Sequence, residues 1–373
     1  MKFRIERDAL AEAVAWSARS LPSRPAAPVL AGLLLEVTDD QLTISGFDYE
    51  VSTQAQLEVN SGSPGRALVS GRLLADIAKA LPAHPVEFVA DGSRVSITCG
   101  SSKFTLPTMP DSDYPRLPEL PSTAGTVSSS VFARAVSQVA IAAGRDDTLP
   151  MLTGVRLEID GDRLTLAATD RYRLAVRELT WSPASSAAAE AQVLVPARTL
   201  HEAARSLTGE AELTISLSSS STGGEGIIGF SGTGRRTTTR LLDAQFPPYR
   251  TLLPQEFAVT AEVPVNTLSE AVKRVALVAE RGNPVRLQFA DGSLTLSAGG
   301  DDEGRAEENL EAEFTGDGIT TAFNPSFLLE GLGAIEDPTA RLLFTTPTKP
   351  AVLRPAGGES DYTYLIMPVR LPG

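Results

Sequence analysis

LLLEVTDDQLTISG (Leu33–Gly46), VRLEIDGDRLTLA (Val155–Ala167) and VRLQFADGSLTLS (Val285–Ser297) make nearly the same statement three times. Each begins with apolar alternation and passes through a turn that contains Asp, with Gly added in the second and third. Each then resumes alternation in Leu-Thr-Ile or Leu-Thr-Leu. A period of two on both sides of a short polar turn is the signature of a β-hairpin with one buried face. Three copies about 120 to 130 residues apart make the chain a repeat of domain-sized units and exclude a short-period solenoid.

The flanks repeat as well. Upstream, helical spacing appears in Leu10, Ala13, Val14, Ser17 and Leu21, then in Phe132, Ala135, Val136, Val139 and Ala143, then in Leu268, Ala271, Val272, Val275 and Ala279. Downstream comes a second helical stretch: VSGRLLADIAKAL (69–81), VPARTLHEAARSL (195–207) and FNPSFLLEGLGAI (323–335). Ser70, Pro196 and the segment Asn324 to Ser326 supply residues favoured at helix starts. Strand patterns return at Val86 to Val89 with Val95 to Thr98, Glu212 to Leu217 with Ile227 to Phe230, and Arg341 to Thr345 with Ala351 to Leu353. Each unit closes on a strand running into proline: FTLPTMP, RLLDAQFPPY, YLIMPVRL. The expected fold class is α+β, with three repeated domains at 1–122, 123–254 and 255–373.

Composition narrows the function. The 373 residues carry 33 Lys plus Arg against 46 Asp plus Glu, a net charge of −13, with 42% hydrophobic residues. A core of that size excludes disorder for most of the chain. Evenly spread, the negative charge would disfavour a polyanionic partner. The single cysteine, Cys99, excludes an internal disulfide framework, and two histidines, His84 and His201, leave no zinc set, so any metal would need carboxylates. MKFRIERDAL is charged and has no long apolar run behind it, so neither a signal peptide nor a membrane span is expected and the expected compartment is cytoplasmic.

Catalytic constellations are sparse. No G-x-x-x-x-G-K-[ST] occurs; GFSGTG (229–234) lacks the order of a dinucleotide loop and SGSPG (61–65) lacks that of a nucleophile elbow. His201 has Glu202 beside it, on a different side of a helix. Asp146 and Asp147 share a loop without a third ligand. No cofactor and no metal is expected. A repeat-built hydrolase or ligand-binding enzyme with its site between domains, and a purely structural scaffold, remain the competing readings.

Five ordered motifs carry a resemblance over essentially the whole chain: RPAAPVLAGLLLEV (24–37), ATDRYRLAV (168–176), FPPYRTLLP (246–254), FNPSFLL (323–329) and YLIMPVRL (364–371). The chain resembles the sliding-clamp family of bacterial replication, the beta subunits of DNA polymerase III. The resemblance implies a non-catalytic processivity factor, a head-to-tail homodimer closed into a ring with helices inside and antiparallel sheets outside. Its implied partners are double-stranded DNA without sequence preference, the DNA polymerase III catalytic subunit, the clamp loader, and other polymerases and repair proteins, with no membrane.

Residue by residue, the resemblance and the helical placement of cations imply DNA-facing roles for Arg24, Arg72, Lys79, Arg145, Arg198 and Lys273. A cationic hole inside an acidic shell would reconcile the net charge with phosphate contacts, which act locally. The family's peptide pocket maps onto Leu152, Thr169, Arg171, Tyr172, Arg173, Leu174, Pro247, Leu252, Asn324, Phe327, Met367, Pro368, Val369 and Arg370. Arg171 and Tyr172 replace a Gly-His pair of familiar members, and Gly282 replaces an aromatic. The dimer seam maps onto Phe104 and Leu106 of one unit edge and Leu277 and Val278 of another. Lys103 and Arg94 lie near the first edge, and an acidic run from Asp301 to Glu313 near the second.

Overall fold

The computed structural model describes every residue except 186–189, 210, 219–225, 280–282, 291, 301–303, 358–360 and 371–373. Gly282, the acids 301–303 and the last three residues therefore lie outside the described residues.

All three hairpins form in one register. Thr38 faces Gln41, Asp160 faces Arg163 and Ala290 faces Ser293, so each turn has two residues. Such turns need positive φ to match the twist of their strands. Gly161 (φ 62°) and Gly292 (φ 75°) provide it in the second and third. The first uses Asp39 (φ 48°) and Asp40 (φ 59°), residues that tolerate the left-handed region because their short carboxylates bond locally.

The described chain contains six α-helices: α1 (Arg7–Ser17), α2 (Gly71–Ala80), α3 (Ser129–Ala140), α4 (Ala197–Ser206), α5 (Val265–Val275) and α6 (Pro325–Gly333). The apolar stripes are the buried ones: Leu10, Ala13 and Val14 on α1, Phe132, Ala135, Val136 and Val139 on α3, Leu268, Ala271, Val272 and Val275 on α5. Asn324 caps α6, its side chain accepting from the N–H groups of Ser326 and Phe327 at 2.9 and 3.3 Å. Ser70 precedes α2 but makes no capping bond. Cys99 ends a buried strand, its thiol donating to the carbonyls of Pro82 and His84.

Two compact units emerge. The first comprises 1–130, 182–188 and 202–241; the second comprises 131–181, 189–201 and 242–373. Within the first, one sheet of 14 strands carries the hydrogen bonding. It runs across a repeat join, because strand Val51–Glu58 pairs with Arg235–Arg240. Within the second, a sheet of nine strands crosses the next join, where Arg173–Thr180 pairs with Tyr362–Ile366; a separate sheet has four strands. The three repeats persist in element order, while the ladders continue from one repeat into the next. Pairing at a join satisfies backbone groups that would otherwise be open edges.

Candidate functional site

The join in the second unit brings ATDRYRLAV and YLIMPVRL side by side. Arg173 lies opposite Ile366 and Leu174 opposite Leu365, and the Met367 N–H donates to the Tyr172 carbonyl at 2.8 Å. The turn leading in is shaped by Asp170, whose Oδ1 accepts from the N–H groups of Tyr172 (3.0 Å) and Arg173 (3.1 Å). That turn holds Arg171 at φ 80°, a conformation in which glycine is at ease and arginine is strained.

Arg173 is the electrostatic centre. It is buried, and its guanidinium bonds the Asp170 carboxylate at 3.0 Å, pairs with Glu330 and lies 4.4 Å from the centre of the Phe327 ring. Burial disfavours the cation, but Tyr364 and Glu330 outweigh it and hold the Arg173 pKa above its ordinary value. Burial pushes the Tyr364 phenol up to about 12, so it stays neutral and donates to the Phe327 carbonyl at 2.8 Å. Phe327 in turn stacks with Tyr172, ring centres 6.3 Å apart.

Around this centre lies a cavity of about 500 Å³ whose lining includes Leu149, Leu152, Arg171, Tyr172, Arg173 and Phe327. Leu174 is fully buried in a cluster with Leu365, Val352, Leu343, Phe246 and Tyr249; Pro247 sits half-buried between the last two in sequence. Tyr172, Leu252 and Met367 are exposed, at 56, 51 and 39%. Pro368 and Val369 are half-buried, Val369 bonding the Ala322 carbonyl, and Arg370 is exposed.

Two sequence-mapped pocket residues bond the backbone, and Thr169 has no surface to offer while Asn324 is half-buried. Thr169 is buried and donates to the Arg173 carbonyl at 2.6 Å, and Asn324 is the α6 cap. Sequence reasoning missed Asp146, Leu149, Asp170 and Glu330, all on the cavity lining. Asp170 was legible as the turn residue two before Tyr172; Glu330 was not, because only the packing of α6 brings it to Arg173. The exposed Asp146 carboxyl is held below its usual range by the Thr148 hydroxyl and amide, with a smaller contribution from Arg171.

The cations are distributed. Arg145 and Arg198 line a common cavity of about 610 Å³ in the second unit, with His201 and Asp147. Arg24, Arg72 and Lys79 are exposed on the first unit. Lys273 is exposed on α5, where it pairs with Glu270 at 2.8 Å.

The proposed seam residues separate into two classes. Phe104 (37% exposed) and Leu277 (83%) present apolar surface, and Val278 is half-buried. Leu106 is 2% exposed and belongs to the core, although, two residues after Phe104, it lies on the same face of the strand. Along Ser102–Met109 one side pairs fully with Arg94–Cys99, while on the other only Thr108 and Met109 are paired. Strand Gly304–Glu311 ends its four-stranded sheet. Both are open edges among the described residues. No group of His, Cys, Asp and Glu that could hold a metal, and no helix long and apolar enough to cross a membrane, occurs among the described residues.

Tripled α+β units with sheets continued across their joins and a groove at the last join define a clamp-type protein. Sequence comparison agrees in all three segments: residues 1–118, 126–248 and 250–370 match the N-terminal, central and C-terminal domains of the DNA polymerase III beta subunit. The chain is 58% identical to the beta sliding clamp of Streptomyces coelicolor over 378 residues, covering 100% of both. It is 45% identical to a beta sliding clamp homolog of Streptomyces muensis, covering 99% of both. The crystal structure of the Pseudomonas aeruginosa sliding clamp bound to griselimycin superposes with a TM-score of 0.93 at 30% identity, covering 100% of both chains. The chain belongs to the DNA polymerase III beta-subunit family, the sliding clamps. It is a DNA sliding clamp, a processivity factor of replication and not an enzyme. The hydrolase and scaffold readings fall with that membership.

Proposed function

We propose that two copies join head to tail in a closed ring around duplex DNA in the cytoplasm. In this reading the domain joins lie near 122 and 254. Short peptides of the polymerase III catalytic subunit, the clamp loader, other polymerases and repair proteins seat against Leu152, Leu174, Pro247, Leu252 and Met367. The observation that carries the reading is the join of Arg173–Thr180 with Tyr362–Ile366, which sets an apolar floor beneath exposed Tyr172 and Met367. A peptide with Leu and Phe anchors would bury them there, and such anchor pockets dominate binding energy.

The open edges support closure, because a ring must satisfy both. Lys103 and Arg94 accompany one edge; Glu307 and Glu311 lie on the other. Arg305 and Arg274 already partner Glu307 and Glu308, so charge adds little and the apolar residues carry the seam. Arg24, Arg72, Lys79, Arg145, Arg198 and Lys273 are assigned to DNA, touching phosphates without reading bases.

Solution mass together with retention on circular and linearised DNA tests the reading. A dimer held on circles and lost from cut ends is expected; equal retention on both overturns topological tethering. Phe104→Asp with Leu277→Asp should give a folded monomer, since each seam would lose an apolar contact and bury unpaired charge. Replacing Arg24, Arg198 and Lys273 with Glu should leave mass unchanged and flatten the salt dependence of DNA binding.

A further inference from the structure

One wall of the peptide groove is scarcely tied to the sheet beside it. The Leu242 N–H donates to the Leu194 carbonyl at 2.8 Å and the Ala258 N–H to the Phe344 carbonyl at 2.9 Å. Between them, among the described residues, every backbone N–H bond of 243–257 stays within the segment: Tyr249 to Pro247 (2.8 Å) and Leu253 to Arg250 (3.4 Å). At its far end the Thr345 hydroxyl reaches the Glu256 carbonyl at 3.5 Å. This is the segment that carries Pro247 and the exposed Leu252. Pro247 and Pro248 stiffen it, since each ring fixes its own φ, but stiffness does not place it.

Placement comes from side chains. Phe246 and Tyr249 are buried in the cluster that contains Leu174, their ring centres 5.9 Å apart. Apolar contact of this kind has no direction. The directional contacts converge on Glu158, in strand Gly154–Asp160, whose side chain is 12% exposed. One carboxylate oxygen accepts from Arg156 Nε at 2.7 Å; the other accepts from the Tyr249 hydroxyl at 3.0 Å and from the Arg250 guanidinium. Arg156 is itself steadied by Gln192 on the neighbouring strand Glu190–Pro196. Burial opposes the charged carboxylate, but the bonds from Arg250, Arg156 and Tyr249 outweigh it and hold Glu158 below the usual carboxylate range. Burial and the adjacent carboxylate push the Tyr249 phenol up, so it stays neutral and remains a donor.

We propose that Glu158 is a positioning residue of the groove: its carboxylate sets where Pro247 and Leu252 stand, and so how well the apolar anchor of a partner peptide seats against them. The proposal rests on the groove binding peptides. A wall fixed before binding spares the complex the entropy of ordering it, so affinity should depend on a residue that touches no peptide. Met367 is placed independently, by its N–H bond to the Tyr172 carbonyl. Glu158 therefore acts through the Leu252 wall and not through Met367.

The test titrates the full chain into fluorescein-labelled Gln-Leu-Ser-Leu-Phe, read by anisotropy. Glu158→Gln keeps the volume and one acceptor oxygen but loses the charge that both guanidiniums share, and should weaken the peptide about tenfold. Tyr249→Phe removes one bond and keeps the packed ring, and should weaken it about threefold. In a Leu252→Ala background the effect of Glu158→Gln should shrink by about twofold or more, because the wall it places has lost its contact; in a Met367→Ala background it should be undiminished. Unchanged affinity in both Glu158→Gln and Tyr249→Phe overturns the proposal. So does equal coupling of Glu158→Gln to Leu252→Ala and Met367→Ala, the mark of a general loosening of the domain. Absence of peptide binding by the unaltered chain would instead refute the groove reading, and this inference with it.

Discussion

The turns at Asp48–Val51 and Asp170–Arg173 share their hydrogen bonds, their left-handed second residue and their register against the strand that crosses the join. They differ in almost every side chain. Below the second lies an apolar pair, Leu174 and Leu365; below the first, Ser52 and Thr238 share a hydroxyl hydrogen bond of 2.5 Å. Where the second turn ends in Arg173, buried among Asp170, Glu330, Tyr364 and Phe327, the first ends in Val51, half-buried. One aspartate and a fixed register make the frame, and the residues placed on it set the chemistry. A repeat can therefore keep its fold and diversify its sites independently.

The largest effect should come from exchanging what ends each turn. Arg173→Ala removes the cation on which Asp170 and Glu330 converge, and breaking a buried pair costs upwards of 3 kcal/mol. Glu330 is partly exposed and can turn to water, so about 3 kcal/mol is expected in urea unfolding. Val51→Ala removes part of a half-buried side chain and should cost about 1 kcal/mol. Equal costs would mean that the network around Arg173 holds nothing together.

Next in size is the contrast between Met367 and Arg240, which occupy the same place on the two frames. Ending the chain at Ile366 should abolish binding of a Gln-Leu-x-Leu-Phe peptide with the ring still closed, because the removed residues border the groove and not the seam. Met367→Ala keeps the backbone bond to Tyr172 and should weaken the peptide by about 2 kcal/mol. Arg240→Ala should leave that peptide unaffected. Calorimetry with solution mass in parallel checks all three. Undiminished affinity in the truncated ring would make residues 367–370 merely the close of a core strand.

How much of this was legible in the sequence follows from the range of the interactions. The hairpins, the helical stripes and the α6 cap are local, set within a few residues by alternation, spacing and Asn324, and they stand where the pattern puts them except that Leu21, Ala143 and Ala279 fall beyond the ends of α1, α3 and α5. The crossing of sheets between repeats is not local: nothing in RRTTTR (235–240) declares that it pairs with Val51–Glu58. The groove was legible through family motifs that name its surface, but Thr169 shows that a motif position can serve the turn rather than the ligand. Leu106 shows that two residues on one face of an edge strand, Phe104 and Leu106, can differ in burial, which alternation does not reveal. Glu330 depended on packing alone.

The smallest effect sharpens the comparison at the left-handed residues, Arg171 and Tyr49. Holding a residue with a Cβ at positive φ costs about 1 kcal/mol, and glycine removes that strain but adds freedom to the unfolded chain of comparable size. The two terms nearly cancel, so the side chain decides the sign. Tyr49 packs edge-on against Phe47, ring centres 5.7 Å apart, and Tyr49→Gly should destabilise slightly. Arg171 lies at a distant 5.9 Å from the centre of the Tyr172 ring, and Arg171→Gly should be neutral or slightly stabilising. The same substitution has an electrostatic signature: removing the cation should raise the Asp146 pKa, since the nearby charge favours its ionised form. The Thr148 hydroxyl and amide bonds remain and are the larger cause, so the carboxyl should stay below its ordinary value. A carboxyl NMR titration reads this directly. No movement would show that Arg171 does not act on Asp146; full recovery to the ordinary value would show that the Thr148 bonds do not hold it.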